Sequence, residues 1–309
     1  MTTTTTRREI YLEAASVRWG KAHCRSLLFP ANTANVLAGL YLPINYMNAD
    51  LVEVNGYVWF NDSVETDPAP AGLTLITPID VVSGDTAAVV AASFQAAIDA
   101  IDPKVVKVLS VTSATAVLEN KYIGAITAET DPDTTGVTNT TLVTGVGLDL
   151  GDTAEGIELA MEVSTTDINS NQKGGLVLDS IYQGSSASIS MSLLELNKER
   201  FELLVGQVTG DTVTPASGTT VTGYGESRLF QSLLNLGGQL ILHPIRLAAN
   251  DRSRDVIFWK SAPVPTSINY DGTAAQVMAV DFVAYLDTTK KTAINLFLRG
   301  DWTQDGLDA

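Results

Sequence analysis

The sequence predicts a mainly β fold with short helices, and three observations carry that reading. Thr, Ser, Gly and Val are plentiful while only 17% of residues are charged, a composition of strands and turns. Ser186, Ser188, Ser190 and Ser192 alternate with Ala187, Ile189, Met191 and Leu193, the period-two signature of a strand with one apolar and one polar face. Asp67-Pro68-Ala69-Pro70-Ala71-Gly72 is strong turn punctuation, because each proline fixes φ and disfavours helix in the residue before it. At 309 residues the chain exceeds the common single-domain size, and one domain carrying an insertion is the expected organisation.

Met1–Arg8 is a threonine run closed by Arg7 and Arg8. It lacks the apolar core of a secretory signal and is expected to be a flexible arm on a chain made in the cytoplasm. Glu9 to Trp19 carries strand formers. A second apolar region, Leu40 to Phe60, is broken by Pro43 and Asn45 and ends in Gly56-Tyr57-Val58-Trp59-Phe60, where a new unit is expected to begin. One helix stands out beyond it: Asp85 is placed to cap it, Val90, Phe94, Ala97, Ile98 and Ile101 fall at helical spacing, and Asp102-Pro103 stops it. With Val81–Val82 before it and Val105–Thr112 and Ala116–Ile126 after it, a compact β-α-β-β unit ending near Gly147 is expected.

Ile157–Val163, a turn through Asp167 to Asn171, and Gly174-Gly175-Leu176-Val177-Leu178 read as a hairpin with a longer loop. The serine-alternating strand comes next and runs into a short helix. Asn197 is its natural N-cap, Leu196 and Phe201 form a hydrophobic staple, Phe201, Leu204 and Val205 form its buried stripe, and Gly206 ends it. Thr209–Gly225 is an expected exposed loop. Gln239–Ile245, Asp255–Lys260 and Gln276–Asp287 are expected strands, the last with Met278, Val280, Phe282, Ala284 and Leu286 on its core face. Arg299–Ala309 is expected to be a loose tail.

The net charge of −16 is unevenly placed. Residues 61–170 hold 17 carboxylates against three lysines, and the rest of the chain holds 18 against 16 basic residues. No basic footprint for nucleic-acid phosphates is visible, so DNA is expected to be repelled. No apolar stretch reaches the roughly 20 residues of a membrane-spanning helix. Cys24 is the only cysteine, which excludes an intrachain disulfide and a thiolate-rich zinc site. His23 and Cys24 are adjacent, and neighbours in a strand point to opposite faces, so neither is expected to be reactive. The Gly-Gly pairs at 174/175 and 237/238 begin no phosphate-binding motif. Glu129, Asp131 and Asp133 offer oxygen ligands for calcium but lack the ligand order and glycine of an EF-hand; a solvated acidic turn is expected. The sequence therefore predicts a non-enzymatic protein without cofactor.

From Gly174-Gly175 to Gly206 the chain resembles the tail tube, or major tail, proteins of long-tailed bacteriophages. The resemblance lies in the order of parts: a Gly-rich hairpin, a serine-alternating strand entering Glu195-Leu196-Asn197-Lys198-Glu199-Arg200-Phe201-Glu202-Leu203-Leu204-Val205-Gly206, and a long strand Ala275–Asp287 after Ala262-Pro263-Val264-Pro265. Residues 57–147 look like a small domain recurring in phage virion proteins, inserted into a tube-like domain of residues 1–56 and 148–309. The resemblance implies a β-sandwich or barrel with a flanking helix, self-association into rings, commonly hexameric, that stack into a tube for DNA ejection, and contacts with other tail proteins in the virion. Gly174, Gly175, Leu196, Asn197, Phe201, Gly206, Arg7 and Arg8 are the candidate assembly residues. Two alternatives stand beside it. One is another virion part, such as a tail terminator, tail-completion or decoration protein. The other is a glycan-binding or glycan-cleaving β protein whose tryptophans, Trp19, Trp59, Trp259 and Trp302, line a groove.

Overall fold

The computed structural model describes residues 3–12, 14–101, 104–129, 135–154, 156–170, 176–194, 200–201, 204, 211–213, 218, 221–223, 232–269, 277–304 and 306–307. The protein is mainly β with short helices, as its composition requires. It divides into two compact units: Met1–Trp19 with Asp149–Trp302 and Leu307–Ala309, and Gly20–Leu148 with Thr303–Gly306.

The smaller unit, Gly20–Leu148, is built on helix α1 (Ala87–Asp99). Val90, Ala91, Phe94 and Ile98 are its buried stripe, as the spacing predicts. Its N-cap is Thr86, whose side chain accepts from the Val89 N–H at 3.4 Å, while Asp85 instead accepts from the Val82 N–H at 2.7 Å. The stripe packs on two separate sheets. One holds β3 (Tyr41–Pro43), β6 (Gly56–Asn61) and β7 (Thr74–Asp80), with β6 and β7 parallel. In the other, β8 (Val106–Thr112) pairs β9 (Thr115–Ile123), which pairs the Ala22–Leu28 part of β2 (Ala15–Leu28). The far side of β2 carries β10 (Thr138–Val143) and β11 (Val146–Asp149), and a small pair, β4 (Tyr46–Met47) with β5 (Glu53–Val54), completes the unit.

Leu27, Phe29, Leu42, Ile44, Val58, Phe60, Ile79, Phe94, Ile98 and Leu118 share one core. Burying each side chain of this size contributes about 1.5–3 kcal/mol. Because residues 20–56 supply part of that core, the unit begins at Gly20, and the sequence-based boundary near residue 57 is corrected. The single β-α-β-β sheet is corrected too: the strand before the helix pairs with β6, not with β8 or β9. Hydrophobic spacing marks which residues turn inward, but not which strand a given edge will meet.

In the larger unit, β13 (Leu176–Leu193), β18 (Val277–Tyr285), β17 (Val256–Asn269), β16 (Gly238–Pro244) and the start of β2 lie side by side in that order. A short segment closes the run. Leu150 N–H bonds Val17 O in β2 at 2.8 Å; Ala154 N–H and Leu194 N–H bond Ser192 O and Asp152 O beside the end of β13 at 2.8 and 2.9 Å. The alternation read in the sequence is present: Ile189, Met191 and Leu193 are buried opposite Phe282, Val280 and Met278. β17 is longer than expected and runs through Pro263 and Pro265. Its pairing with β16 ends at Ser261, so the two prolines lie where β17 pairs with β18 alone, which spares the ladder their missing N–H groups. β19 (Phe297–Arg299) pairs the start of β17 on the side that β18 occupies further along, so β18 and β19 are one line of strand interrupted by residues 286–296. Leu286, expected on the core face, is 56% exposed because the strand ends at Tyr285.

Three further expectations are corrected. The N-terminal arm is a strand, β1 (Thr3–Leu12), antiparallel to β12 (Ile157–Ser170) from Thr3↔Thr166 to Leu12↔Ile157; threonine's branched Cβ suits extended backbone. The turn expected at Asp167–Asn171 is still strand as far as Ser170, and the two strands read after it are one, the 18-residue β13. The tail is tied down: β19 pairs β17 and Trp302 is 3% exposed. Arg200, Phe201 and Leu204 are helical, with Leu204 fully buried. In the loop expected from Thr209, β14 (Asp211–Val213) pairs β15 (Val221–Gly223), and Leu233–Leu236 makes one helical turn.

Candidate functional site

The features with the most to offer a partner belong to the larger unit. β12 and β13 pair along almost their whole length, but β13 pairs β18 only from Ser188 to Leu193. Beyond that point the two strands continue as a finger, flanked by β1 as far as Thr166. A finger of two or three strands has no second layer to bury its apolar residues. Val177, Leu178, Ile181 and Tyr182 are accordingly 52–60% exposed and Ile168 is 39% exposed. The register shifts at Ser164/Thr165 and Ile168/Asn169 each leave one residue of β13 unmatched, and each such bulge flips the faces of the residues beyond it. Counting through the first of them puts Tyr182 on the face of Met161 and Val163, and Ile181 on the opposite face with Ile168, its diagonal neighbour across the pair.

Where β13 parts from β18, a groove of about 520 Å³ opens, lined by Met161, Val163, Tyr182, Ser185, Ser186, Leu296 and Phe297. Its walls are apolar and its size is that of a binding cleft. The backbone of β13 from Leu176 to Ala187 has no partner strand on that side among the described residues. On the other flank β1 pairs only β12 among them, over ten residues free of proline. Open edges of this length can take up a strand from another chain.

Of the residues singled out by sequence, the structure places Arg7 and Arg8 in β1, opposite Glu162 and Met161 of β12. Phe201 is helical and half-buried. Gly174, Gly175, Leu196, Asn197 and Gly206 lie outside the described residues, as do Asp131 and Asp133. The finger face and the groove were missed. Their signal was available: Ile181 and Tyr182 continue the strand pattern between the Gly-Gly pair and Ala187, where neither a turn nor a core was expected.

The groups with catalytic potential are engaged structurally. His243 Nδ1 lies 2.6 Å from Oδ1 of Asp255, half of a hydrolase triad, but His243 Nε2 is buried with no hydrogen-bond partner. Asp255 is fully buried and also accepts from Trp302 Nε1 at 2.9 Å, with Arg252 at 3.5 Å from the same Oδ2. The carboxylate thus holds the end of the chain on the β16–β17 turn. In the smaller unit Arg25, fully buried, is paired with Glu129, and Glu129 also accepts from the Asn45 N–H and from Asn139 Nδ2. That commits to protein contacts the first carboxylate of the suggested calcium loop. His23 accepts from the Gly145 N–H at 3.4 Å and is held down to about 4 by burial and by the Arg25 charge. Burial, with Glu119 nearby, pushes the Cys24 thiol up to about 11. The tryptophans do not form a sugar-binding platform: Trp19, Trp59, Trp259 and Trp302 are 0–8% exposed. Among the described residues no group of His, Cys, Asp and Glu has the arrangement to hold a metal ion, and no helix is long and apolar enough to cross a membrane. No family model matches the chain, and no curated protein matches it.

Proposed function

We propose that this protein is a structural subunit of a bacteriophage tail tube, which associates with copies of itself into rings that stack around a channel for DNA. The finger carries the reading: a protein that works alone has little use for a two-stranded extension with exposed isoleucine, valine, leucine and tyrosine. The ten-residue edge of β1, continuous and free of proline, is a second surface open to another strand. The closed strand run of the larger unit and the helical residues Arg200, Phe201 and Leu204 accord with the β-barrel and flanking helix of the resemblance. In this reading the chain binds DNA nowhere specifically: its net charge of −16 lets phosphates pass without adhering. It carries out no chemistry and needs no cofactor, and its site of action is the virion.

Negative-stain electron microscopy at high and low protein concentration tests the proposal. Rings or tubes with a central channel wide enough for duplex DNA are the expected outcome. Uniform single particles at every concentration would rule out the tube role.

A further inference from the structure

The smaller unit exposes three valines on loops that are tied to one another. Val36 lies between β2 and β3, Val64 between β6 and β7, and Val82 between β7 and α1, and they are 57, 82 and 67% exposed. Asn32, fully buried, joins the first loop to the third. Its N–H bonds Asp85 O at 2.9 Å, its Nδ2 donates to Val82 O at 3.0 Å, and its Oδ1 accepts from the Leu37 N–H at 3.0 Å. Asn35 joins the first loop to the second by donating to Oδ2 of Asp62, whose Oδ1 accepts from the Val64 and Glu65 N–H groups at 3.0 Å. Each valine therefore sits on or beside a residue of one hydrogen-bonded knot. Scattered exposed valines are ordinary, but three gathered in this way make an apolar patch. Ala34, Asn35 and Ser63 hold φ values of 55, 64 and 71°, backbone that such residues keep only where the surrounding contacts impose it. The loops are thus set before a partner arrives, which lowers the ordering cost of binding.

Charge indicates which partner fits. From Ser26 to Pro103, a span that contains all three loops, the sequence has nine carboxylates and no lysine, arginine or histidine. Asp62, Glu65, Asp80 and Asp85 border the valines on these loops. Hydrogen bonds from the Glu65 N–H, the Asn35 side chain and the Val64 N–H hold the Asp62 carboxyl below its ordinary range, so it stays ionised. The N-terminus of α1 is capped by Thr86 and follows directly on Asp85, whose charge offsets its partial positive one. The next turn, between β8 and β9, meets the first loop through Phe29 N–H and Ala114 O at 2.9 Å and is uncharged. The cations of this unit stand elsewhere. Arg25 is buried against Glu129, Lys104 follows the far end of α1 and lies 3.5 Å from Asp99, and Lys107 is opposite Glu119. Lys21 and Lys121 belong to the Ala22↔Ile123 end of the β2–β9 pair, whereas the first loop leaves its Leu28↔Thr115 end.

We propose that the face formed by Val36, Val64 and Val82 docks a basic segment of another protein, seating an apolar side chain among the valines with flanking lysines or arginines against the surrounding carboxylates. An apolar centre inside a charged rim is the anatomy of a protein interface, and the charge steers the encounter while repelling anionic surfaces. The contact uses the smaller unit alone and holds whether or not the chain builds a tube.

Fluorescence anisotropy on the full chain tests this with two labelled oligolysine probes, one carrying a central leucine and the other a central serine. The leucine probe is expected to bind about tenfold tighter, the worth of partly burying one such side chain. Replacing the patch by Val36→Ser, Val64→Ser and Val82→Ser together is expected to abolish that preference; Val64→Ser alone, at the most exposed of the three positions, is expected to reduce it at an unchanged melting temperature. Glu65→Gln is expected to weaken both probes, and hydrogen exchange to show protection by the leucine probe on residues 29–40, 61–73 and 81–86. Equal binding of the two probes, a preference that survives the triple replacement, or protection confined to other segments would each overturn the docking surface. Self-association of the parent that the triple replacement removes would assign the patch to a second copy and overturn it too. Microscopy of the triple variant keeps the two readings apart, since rings or tubes are expected to form as in the parent.

Discussion

Asp255 shows how a single buried carboxylate can order a chain terminus. Its two oxygens meet His243 at 2.6 Å and Trp302 Nε1 at 2.9 Å, and Gly300 N–H bonds its backbone O at 2.8 Å. Trp302→Phe keeps most of the packing but leaves the carboxylate short of a donor, and a buried group so deprived costs about 1–3 kcal/mol. A lowered melting temperature with unchanged secondary structure is the expected outcome. His23 makes a pH-dependent contribution. It sits near 4 in the fold against an ordinary 6.5, so below 6.5 the unfolded chain takes up a proton that the folded chain refuses. Stability is fully present above pH 6.5 and is lost as pH falls towards 4. His23→Gln is expected to flatten that part of the stability profile relative to the parent, measured by urea titration at several pH values. Sequence could locate residues such as Phe94 and Ile98, whose spacing lies within one helix. It gave no sign of the Asp255–Trp302 contact, 47 positions apart, because two polar groups meeting through tertiary structure leave no periodic trace.

At the scale of elements, the smaller unit depends on chain segments coming closer than any side chain permits. A Cβ on Gly145 would stand 1.9 Å from Gly124 O and 2.9 Å from the His23 Cβ. Gly145→Ala is therefore expected to destabilise by roughly 1–3 kcal/mol, the range for overpacking. Gly156, with nothing within 4 Å, is the matched control, and Gly156→Ala is expected to change the chemical denaturation midpoint little. Helix α1 and the serine-alternating strand were legible because each presents one clear face to a core over several residues. The finger was not, because bulges at Ser164/Thr165 and Ile168/Asn169 scramble its alternation, and asparagine and aspartate near its tip imitate an earlier turn. The expected tail failed for a related reason: Phe297–Arg299 is too short to show a period, yet it pairs β17.

At the scale of the molecule, two units with separate cores are expected to lose structure in separate steps. Three of the four tryptophans, Trp19, Trp259 and Trp302, belong to the larger unit, while α1 belongs to the smaller one. Tryptophan fluorescence and the helical circular dichroism signal should therefore give different midpoints in guanidinium; coincident curves would show the units unfolding together. Mainly β character was legible in the composition, whereas the division of the chain was not, since Leu27 to Tyr46 join a core whose other members are spread from Val58 to Val137. The pairing of β1 with β12 bears on how the protein is made. Thr3 meets Thr166 and Leu12 meets Ile157, so β1 waits after its synthesis for a partner made about 150 residues later. At translation rates of roughly 5–20 residues per second, that wait is on the order of 10–30 s. The run of five threonines and two arginines from Thr2 to Arg8 offers little apolar surface to misassociate during the delay, so residues that join the sheet late also help keep the growing chain in solution until they do.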